Sequence, residues 1–181
     1  MSLNTKHLTG CCLLCVLLAS PLIFSSTYNI SAAKVTLPRH SNVETVDSDF
    51  LVVFAGFIGC SDYCPTSLQK LSYVLDSLPD GSLTIAFLNI VKGIPHRISD
   101  AYAKSIDERF IGYTVSSDNG HVTELYQSLG ISTGDTPSSV RNHPSRVYLF
   151  KKSNTNKWIL TVSHSALPSV DSYTKEIYSL L

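Results

Sequence analysis

The chain has 181 residues, and its 14 basic side chains balance 14 acidic ones, so the formal net charge is zero. This balance provides no electrostatic footprint for nucleic acid, and we expect no nucleic-acid partner. Hydrophobic residues make up 44% of the sequence and charged residues 15%, which is typical of a globular protein and not of a disordered chain.

The first residues have the pattern of a targeting segment. Lys6 and the amino terminus place positive charge before residues 8–24, an apolar run without a charged side chain. The pattern predicts an export signal or a single membrane anchor, at the short end of the ~17–25 residues that span a bilayer. Because Ser31 and Ala33, the small residues that a signal peptidase could use, lie far from the run, we expect an uncleaved anchor. The folded part then lies on the exported, periplasmic-type side of an inner (cytoplasmic) membrane, or is secreted if the segment is cleaved.

The chain divides into three parts. Residues 1–33 hold the signal or anchor and the start of a tether, and residues 34–48 are a polar tether that could contain one edge strand. Residues 49–181 form a single folded domain, since the ~150 residues that follow the targeting segment suit one core.

A strand, a helix and a second strand open this domain. Residues 49–57 are a continuous apolar run, which predicts a strand buried on both faces. Pro65 suits the first turn of a helix, which Pro79, Asp80 and Gly81 end. Residues 82–90 are a second buried strand, so the three elements predict a right-handed parallel crossover.

The remaining elements complete a recognisable order. In sequence they are a loop at 91–100, a helix at 101–109, an extended segment at 110–115, a helix at 121–130 ended by Gly130, a polar loop at 131–145, hairpin strands at 146–152 and 157–164, and an amphipathic helix at 168–181. This order predicts an α/β protein of thioredoxin-like fold, with a central mixed sheet flanked by helices.

The five cysteines fall into two groups. Cys11, Cys12 and Cys15 lie in the apolar run, where a cysteine acts as a small hydrophobic residue. Cys60 and Cys64 are the only cysteines of the soluble part, and a disulfide between them would close too short a loop to stabilise the fold much. The pair is better explained by chemistry, either redox exchange or metal binding.

Both chemistries depend on the thiolate. Cys64 stands just before Pro65 at a helix start, where the peptide dipoles favour an anion, so we expect a lowered thiol pKa. Two thiolates are soft ligands suited to Cu(I), and an imidazole is the usual third donor. Among the six histidines we favour His143, because the loop that enters the strand at 146–152 packs beside the cysteine helix in a thioredoxin-like fold. The others are less suitably placed: His7, His40, His96, His121 and His164.

Three segments carry a family resemblance. "VVFAGFIGCSDYCPTSLQKL" (52–71) resembles the Sco/SenC motif GxTxCPDxCPxxL, matching at Cys60, Asp62, Cys64, Pro65 and Leu68. "RFIGYT" resembles the family's FxGLTG, and "NHPSRVYLF", which begins at residue 142, resembles its DHSxxxYLI. The resemblance extends over roughly residues 49–181.

The resemblance implies a membrane-anchored copper chaperone that takes part in cytochrome c oxidase assembly. Cys60, Cys64 and His143 would form a three-coordinate Cu(I) site, and Cu(II) would take a further oxygen or nitrogen ligand. Copper would pass to the copper-binding subunit of a terminal oxidase or to another copper carrier. The alternative is a membrane-anchored thiol–disulfide oxidoreductase that acts on exported cysteines, with Cys60 and Cys64 as the catalytic pair and His143 as a proton carrier.

The sequence also departs from the family pattern. Asn89 stands where the family has an acidic residue after the second core strand, and it cannot supply that negative charge. The tether replaces a longer N-terminal hairpin, which puts recognition of the usual partner in doubt. Ser61 replaces a frequent proline and Tyr63 adds an aromatic side chain, and we expect neither to block metal binding.

Overall fold

The computed structural model describes residues 46–61, 63–115, 126, 129–140 and 146–181. The elements are β1 (Phe50–Gly56), α1 (Tyr63–Asp76), β2 (Leu83–Asn89), α2 (His96–Ile106), β3 (Ile111–Thr114), a 3-10 helix (Pro137–Val140), β4 (Val147–Lys152), β5 (Trp158–His164) and α3 (Val170–Tyr178). The predicted anchor at 8–24, most of the predicted helix at 121–130, and His143 lie outside the described residues. In the part of the chain that is described, no helix combines the length and the apolar character needed to cross a membrane.

The strands form one mixed sheet in the order β3-β2-β1-β4-β5. β1 is parallel to β2 and β2 to β3, whereas β4 is antiparallel to both β1 and β5. The carboxyl ends of the three parallel strands therefore meet at one edge, where Gly56 pairs with Asn89 and Asn89 with Thr114. We call this the carboxyl edge, and the opposite edge, at the starts of β2 and β3, the amino edge. The arrangement confirms the predicted thioredoxin-like fold.

The sheet is buried on both faces, as the continuous apolar runs predicted. On one face, which we call the cysteine face, α1, α2 and α3 pack against alternate residues of the strands. The core there includes Phe54, Cys64, Leu68, Phe87 and Tyr173. A second core covers the other face and includes Val53, Leu88, Tyr126, Ile131 and Trp158. Because Cys64 belongs to a packed core, its thiol has apolar surroundings.

The second helix differs from its predicted bounds. α2 begins at His96, inside the predicted loop at 91–100, and ends at Ile106, before the predicted end at 109. Pro95, with φ −58°, stands before its first residue and is already preset for helical entry. Ser99, near the start of this helix, is fully buried, and its hydroxyl forms a hydrogen bond with the Thr114 hydroxyl at 2.7 Å. Because a buried serine does not contribute to a hydrophobic pattern, the sequence did not indicate that the start of the helix is packed.

Candidate metal and thiol site

The turn after β1 brings two cysteines to the carboxyl edge. The backbone N–H of Cys60 donates to the Phe57 carbonyl at 3.3 Å, and Gly59 adopts φ +100°, which favours glycine. Gly56 ends β1 directly beneath Cys64, because a Cβ on Gly56 would lie only 2.8 Å from the Cys64 sulfur. A glycine at this position therefore leaves the space that the Cys64 side chain fills.

The two cysteines lie side by side and are both reduced in this structure. The backbone N–H of Cys64, in the first turn of α1, donates to the Cys60 sulfur at 3.4 Å. Cys64 is only 1% exposed, whereas Cys60 is half-buried. An incoming ion or thiol therefore meets Cys60 first.

The expectation of a lowered pKa is wrong for Cys64. The pKa of this thiol is raised to about 12, mainly by burial; a hydrogen bond from the Phe57 backbone lowers it by less, and the neighbouring Cys60 adds to the increase. Desolvation of the thiolate in an apolar core exceeds the stabilisation that a helix start offers. The N–H at the start of α1 instead points at the Cys60 sulfur.

Tyr102 on α2 is a member of the site that the sequence did not indicate. Its ring packs against Phe87 with the centroids 4.9 Å apart, and its hydroxyl oxygen is buried without a hydrogen-bond partner among the described residues. The pKa of Tyr102 is raised to about 12, mostly by burial and then by the charges that Cys64 and Cys60 would carry. Tyr102 and both cysteines also belong to the same core on the cysteine face.

The Asn89 side chain forms hydrogen bonds with the backbone of its own turn. It is fully buried at the carboxyl edge, where its Oδ1 accepts from the Val91 N–H at 3.3 Å and its Nδ2 donates to the Val91 carbonyl at 3.5 Å. The position that is acidic in the Sco/SenC pattern is thus occupied by a neutral side chain that stabilises its own turn.

The described histidines are engaged elsewhere. The Nδ1 of His96 accepts from the Thr114 N–H at 3.1 Å, so the proton of a neutral ring lies on Nε2. The Nε2 of His164 contacts the Glu176 carboxylate at 2.8 Å. Within the described ranges, no three His, Cys, Asp or Glu side chains are grouped to hold a metal ion. His143 and Asp62 lie outside them, so their part in the site stays a prediction.

The donors that are described fit a soft ion. Two sulfurs in adjacent positions, one buried and one accessible, suit Cu(I), which prefers thiolate ligands. A raised thiol pKa does not prevent this, because a bound metal ion displaces the proton. The set needs one further donor to reach three-coordination.

Solved structures of similar fold include several Sco proteins. Apo Sco1 from Thermus thermophilus is 21% identical, covering 77% of this chain and 83% of that one, with a TM-score of 0.55. Copper-bound ScoI from Arabidopsis thaliana is 18% identical, covering 74% and 84%, with a TM-score of 0.56. BsSco, a member of the Sco family of cytochrome c oxidase assembly proteins in which a disulfide switch was identified, is 10% identical, covering 76% and 82%, with a TM-score of 0.51. At these identities the likeness shows the fold.

The family assignment comes from the sequence profile. No curated protein matches the chain. The profile of the SCO1/SenC family, however, matches residues 39–178, which is most of the sequence and includes both cysteines and the segment around His143. With the mixed sheet and the paired sulfurs at its carboxyl edge, this match identifies the chain as a member of the SCO1/SenC family.

Proposed function

We propose that this protein binds copper through Cys60, Cys64 and His143 and delivers it during assembly of the copper centre of cytochrome c oxidase. The observation that carries the proposal is the placement of the two sulfurs, with the Cys64 N–H 3.4 Å from the Cys60 sulfur at an edge of the sheet. A copper-bound relative of the same fold, ScoI from Arabidopsis thaliana, supports the choice of metal.

The path of the chain supports His143 as the third ligand. The carbonyl of Arg146 accepts a hydrogen bond from the Ala55 N–H at 3.1 Å. Ala55 precedes Gly56, and the Cys64 sulfur lies directly above Gly56. His143 is three residues before Arg146, and three residues span at most ~10 Å of backbone. The path of the described chain therefore permits a ligand from residue 143 at the carboxyl edge, which supports the choice of His143.

Unequal exposure of the two sulfurs supports a transfer role. A carrier must hold copper and also release it, and release by ligand exchange needs one ligand that an acceptor can approach. Half-buried Cys60 suits that step, while buried Cys64 retains the ion. The acceptor we propose is the copper-binding subunit of a terminal oxidase or another copper carrier. Residues 8–24 would anchor the chain with its folded domain on the exported side, which fractionation and protease protection of the full chain would test.

Cu(I) titration of the reduced full-length protein against a chromogenic chelator tests the site. We expect one equivalent to bind, binding to be lost in Cys60→Ala and Cys64→Ala, and affinity to fall at least about 10-fold in His143→Ala. His96→Ala is the matched control, because that ring lies near the same edge but bonds Thr114. Equal affinity of His143→Ala and His96→Ala would contradict the ligand set.

A thiol–disulfide oxidoreductase is the second candidate, favoured by the neutral Asn89 and by the adjacency of the sulfurs. In this reaction the Cys60 thiolate would attack a substrate disulfide, and Cys64 would resolve the mixed disulfide. The high pKa of Cys64 opposes rapid exchange, since attack is fastest when the thiol pKa is near the ambient pH. Rapid reduction of a protein disulfide by wild type, without stoichiometric binding of Cu(I), would favour this candidate over copper delivery.

A further inference from the structure

The large hydrophobic side chains that the protein exposes are concentrated on two helices. In the part of the chain that the structure describes there are five: Tyr63, Tyr73, Ile98, Tyr178 and Leu181. Tyr63 and Tyr73 belong to α1, whereas Tyr178 ends α3 and Leu181 follows it, so four of the five lie on or beside these helices. Since tyrosine is enriched in interfaces between proteins, this clustering indicates a contact surface.

A small cavity lies between α1 and the segment that leads into α3. Its walls are Tyr63, Thr66, Ser67 and Lys70 of α1 together with Leu167, and we call this set the docking groove. The cavity has a volume of about 190 Å³, below the ~300–1,000 Å³ of pockets that bind small molecules. Its size suits one side chain of another protein.

The docking groove adjoins the turn that carries the accessible sulfur. Tyr63, one of its walls, directly precedes Cys64, and the Cys64 N–H donates to the Cys60 sulfur at 3.4 Å. Cys60 and Leu167 also pack against the same core. A protein held in the groove therefore lies next to the sulfur that an incoming ion or thiol meets first.

Lys70 gives the docking groove a positive charge. Among the described residues it is the only charged side chain that lines the cavity, and no described carboxylate forms an ion pair with it. Charge complementarity therefore favours a partner that presents a carboxylate. The Tyr63 ring and Leu167 provide apolar walls, which suit an apolar side chain next to that carboxylate.

We propose that the docking groove binds the protein that accepts copper from Cys60, and that this partner inserts an apolar side chain beside a carboxylate that pairs with Lys70. The identity of the partner as the copper acceptor rests on the proposed function, whereas the chemistry of docking does not. So small a cavity suits the limited contact area of transient complexes, from which a carrier can dissociate after transfer.

Peptides that react with Cys60 test the docking chemistry without copper. The probes are acetyl-Phe-X-Gly-Gly-Cys amides, in which X is Asp or Lys and the cysteine carries thionitrobenzoate as a mixed disulfide. The Cys60 thiolate attacks the peptide sulfur, so a peptide–Cys60 disulfide forms and thionitrobenzoate leaves. From X to the cysteine the extended peptide spans ~10 Å, close to the ~9 Å of helix between Cys64 and Lys70. The full-length protein carries Cys64→Ala, so that this disulfide persists.

We expect the Asp peptide to react about 5- to 10-fold faster than the Lys peptide at low ionic strength, and Lys70→Glu to reverse the preference. A ratio of two rates on one protein cancels any change in the reactivity of Cys60 itself. Lys157→Glu, at an exposed lysine beside the hairpin turn, is the matched control and should keep the original preference. Equal rates for the two peptides, or a preference that Lys70→Glu leaves unchanged, would overturn the proposal.

The apolar walls are tested with the same reaction. Replacing the Phe of the Asp peptide by Ala should slow it about 5-fold, and Leu167→Ser should abolish that difference. Ile98→Ser, at an exposed apolar residue of α2, is the control and should preserve it. Circular dichroism establishes that the variants fold. If the Phe and Ala peptides react equally with the unsubstituted groove, the cavity does not bind a side chain.

Copper transfer tests the identity of the partner. With the purified copper-binding domain of a terminal oxidase subunit as the probe, Lys70→Glu should slow transfer from the Cu(I)-loaded full-length protein about 10-fold without changing Cu(I) affinity. An unchanged transfer rate would overturn the assignment of the partner. If wild type binds no Cu(I), the proposed function fails, and the peptide preferences alone decide the docking groove. A dimer in sedimentation velocity that Lys70→Glu dissociates would show that a second copy fills the groove, and would also overturn the proposal.

Discussion

At the amino edge of the sheet, a carboxylate accepts several hydrogen bonds, whereas at the carboxyl edge a thiol is buried in an apolar core and a phenol has no described hydrogen-bond partner. Asp107 accepts from the Ser72 hydroxyl at 2.6 Å and from both the backbone and the side chain of Arg109, which also binds Asp76 at 2.7 Å. These bonds hold the pKa of Asp107 well below its usual range, with Arg109 as the main cause. At the other edge, burial raises the pKa of Cys64 to about 12, and the Tyr102 hydroxyl has no described partner.

The contrast separates stability from function within one sheet. The amino edge stabilises the charged form of its groups, so its bonds contribute to the folded state as it stands. The carboxyl edge penalises the charged form of Cys64, so the free thiolate is unfavourable there, whereas a bound metal ion would neutralise the charge as it replaces the proton. Locally unfavourable arrangements of this kind concentrate at functional sites.

Filling the space under the sulfur should give the largest effect. In Gly56→Ala, the new methyl group would stand 2.8 Å from the Cys64 sulfur and 3.1 Å from the Phe54 ring. We expect the free energy of unfolding of the reduced protein to fall by about 1–3 kcal/mol, because overpacking forces side chains out of position. Urea denaturation monitored by circular dichroism would measure this.

A double-mutant cycle tests whether the destabilisation by Gly56→Ala comes from the Cys64 sulfur. In a Cys64→Ala background the atom nearest to the new methyl is gone, so Gly56→Ala should be less destabilising there than in wild type. Equal costs in the two backgrounds would mean that the Phe54 and Phe87 rings, and not the sulfur, require glycine at this position.

Removing the charge at the amino edge should give a smaller, pH-dependent effect. Asp107→Asn should lower the free energy of unfolding at neutral pH by about 1–2 kcal/mol, a range kept low because the Arg109 side chain is 46% exposed and its charge is partly screened by water. The folded pKa of Asp107 lies below the unfolded value of about 3.9, so its stabilisation is complete above that pH and is lost as the pH falls through the folded value.

The free energy of unfolding measured at acid pH tests the direction of this pH dependence. Below about pH 4 the wild type should lose stability more steeply than Asp107→Asn, which has no carboxylate to protonate. Asp80→Asn, at an exposed turn residue, serves as the control and should change the unfolding free energy by less than about 0.5 kcal/mol. If wild type and Asp107→Asn lost unfolding free energy equally as the pH falls, the role assigned to Asp107 would be contradicted.

Sequence reasoning succeeded where the signal is local. The runs predicted as strands at 49–57 and 82–90 match Phe50–Gly56 and Leu83–Asn89, because a strand buried on both faces is apolar throughout. The spacing of Cys60 and Cys64 at a strand end and a helix start also placed both thiols at one edge.

Sequence reasoning failed for properties that depend on tertiary packing. The pKa of Cys64 depends on burial in the core that also holds Phe54 and Phe87, which the helix start alone does not reveal. Tyr102 was missed because its place depends on how closely α2 packs on β3, where a Cβ on Gly112 would meet the Ser99 carbonyl oxygen. No periodicity in the sequence reports so close an approach of two backbones.

The smallest effect we predict is an alkaline loss of stability that comes from Cys64. Its folded pKa, about 12, is above the value near 8.5 of an unfolded cysteine, so the stabilisation is complete below the unfolded value and is lost as the pH rises toward the folded one. Reduced wild type should lose about 1 kcal/mol of unfolding free energy between pH 7.5 and about pH 9.5 through this group. Cys64→Ala should lack this loss, because an alanine has no thiol to ionise when the chain unfolds. Urea denaturation of both proteins across this range isolates the thiol, since the other titrating groups are common to both. Identical alkaline limbs would mean that the thiolate is as well solvated in the folded protein as in the unfolded chain, and the contrast between the two edges of the sheet would no longer hold.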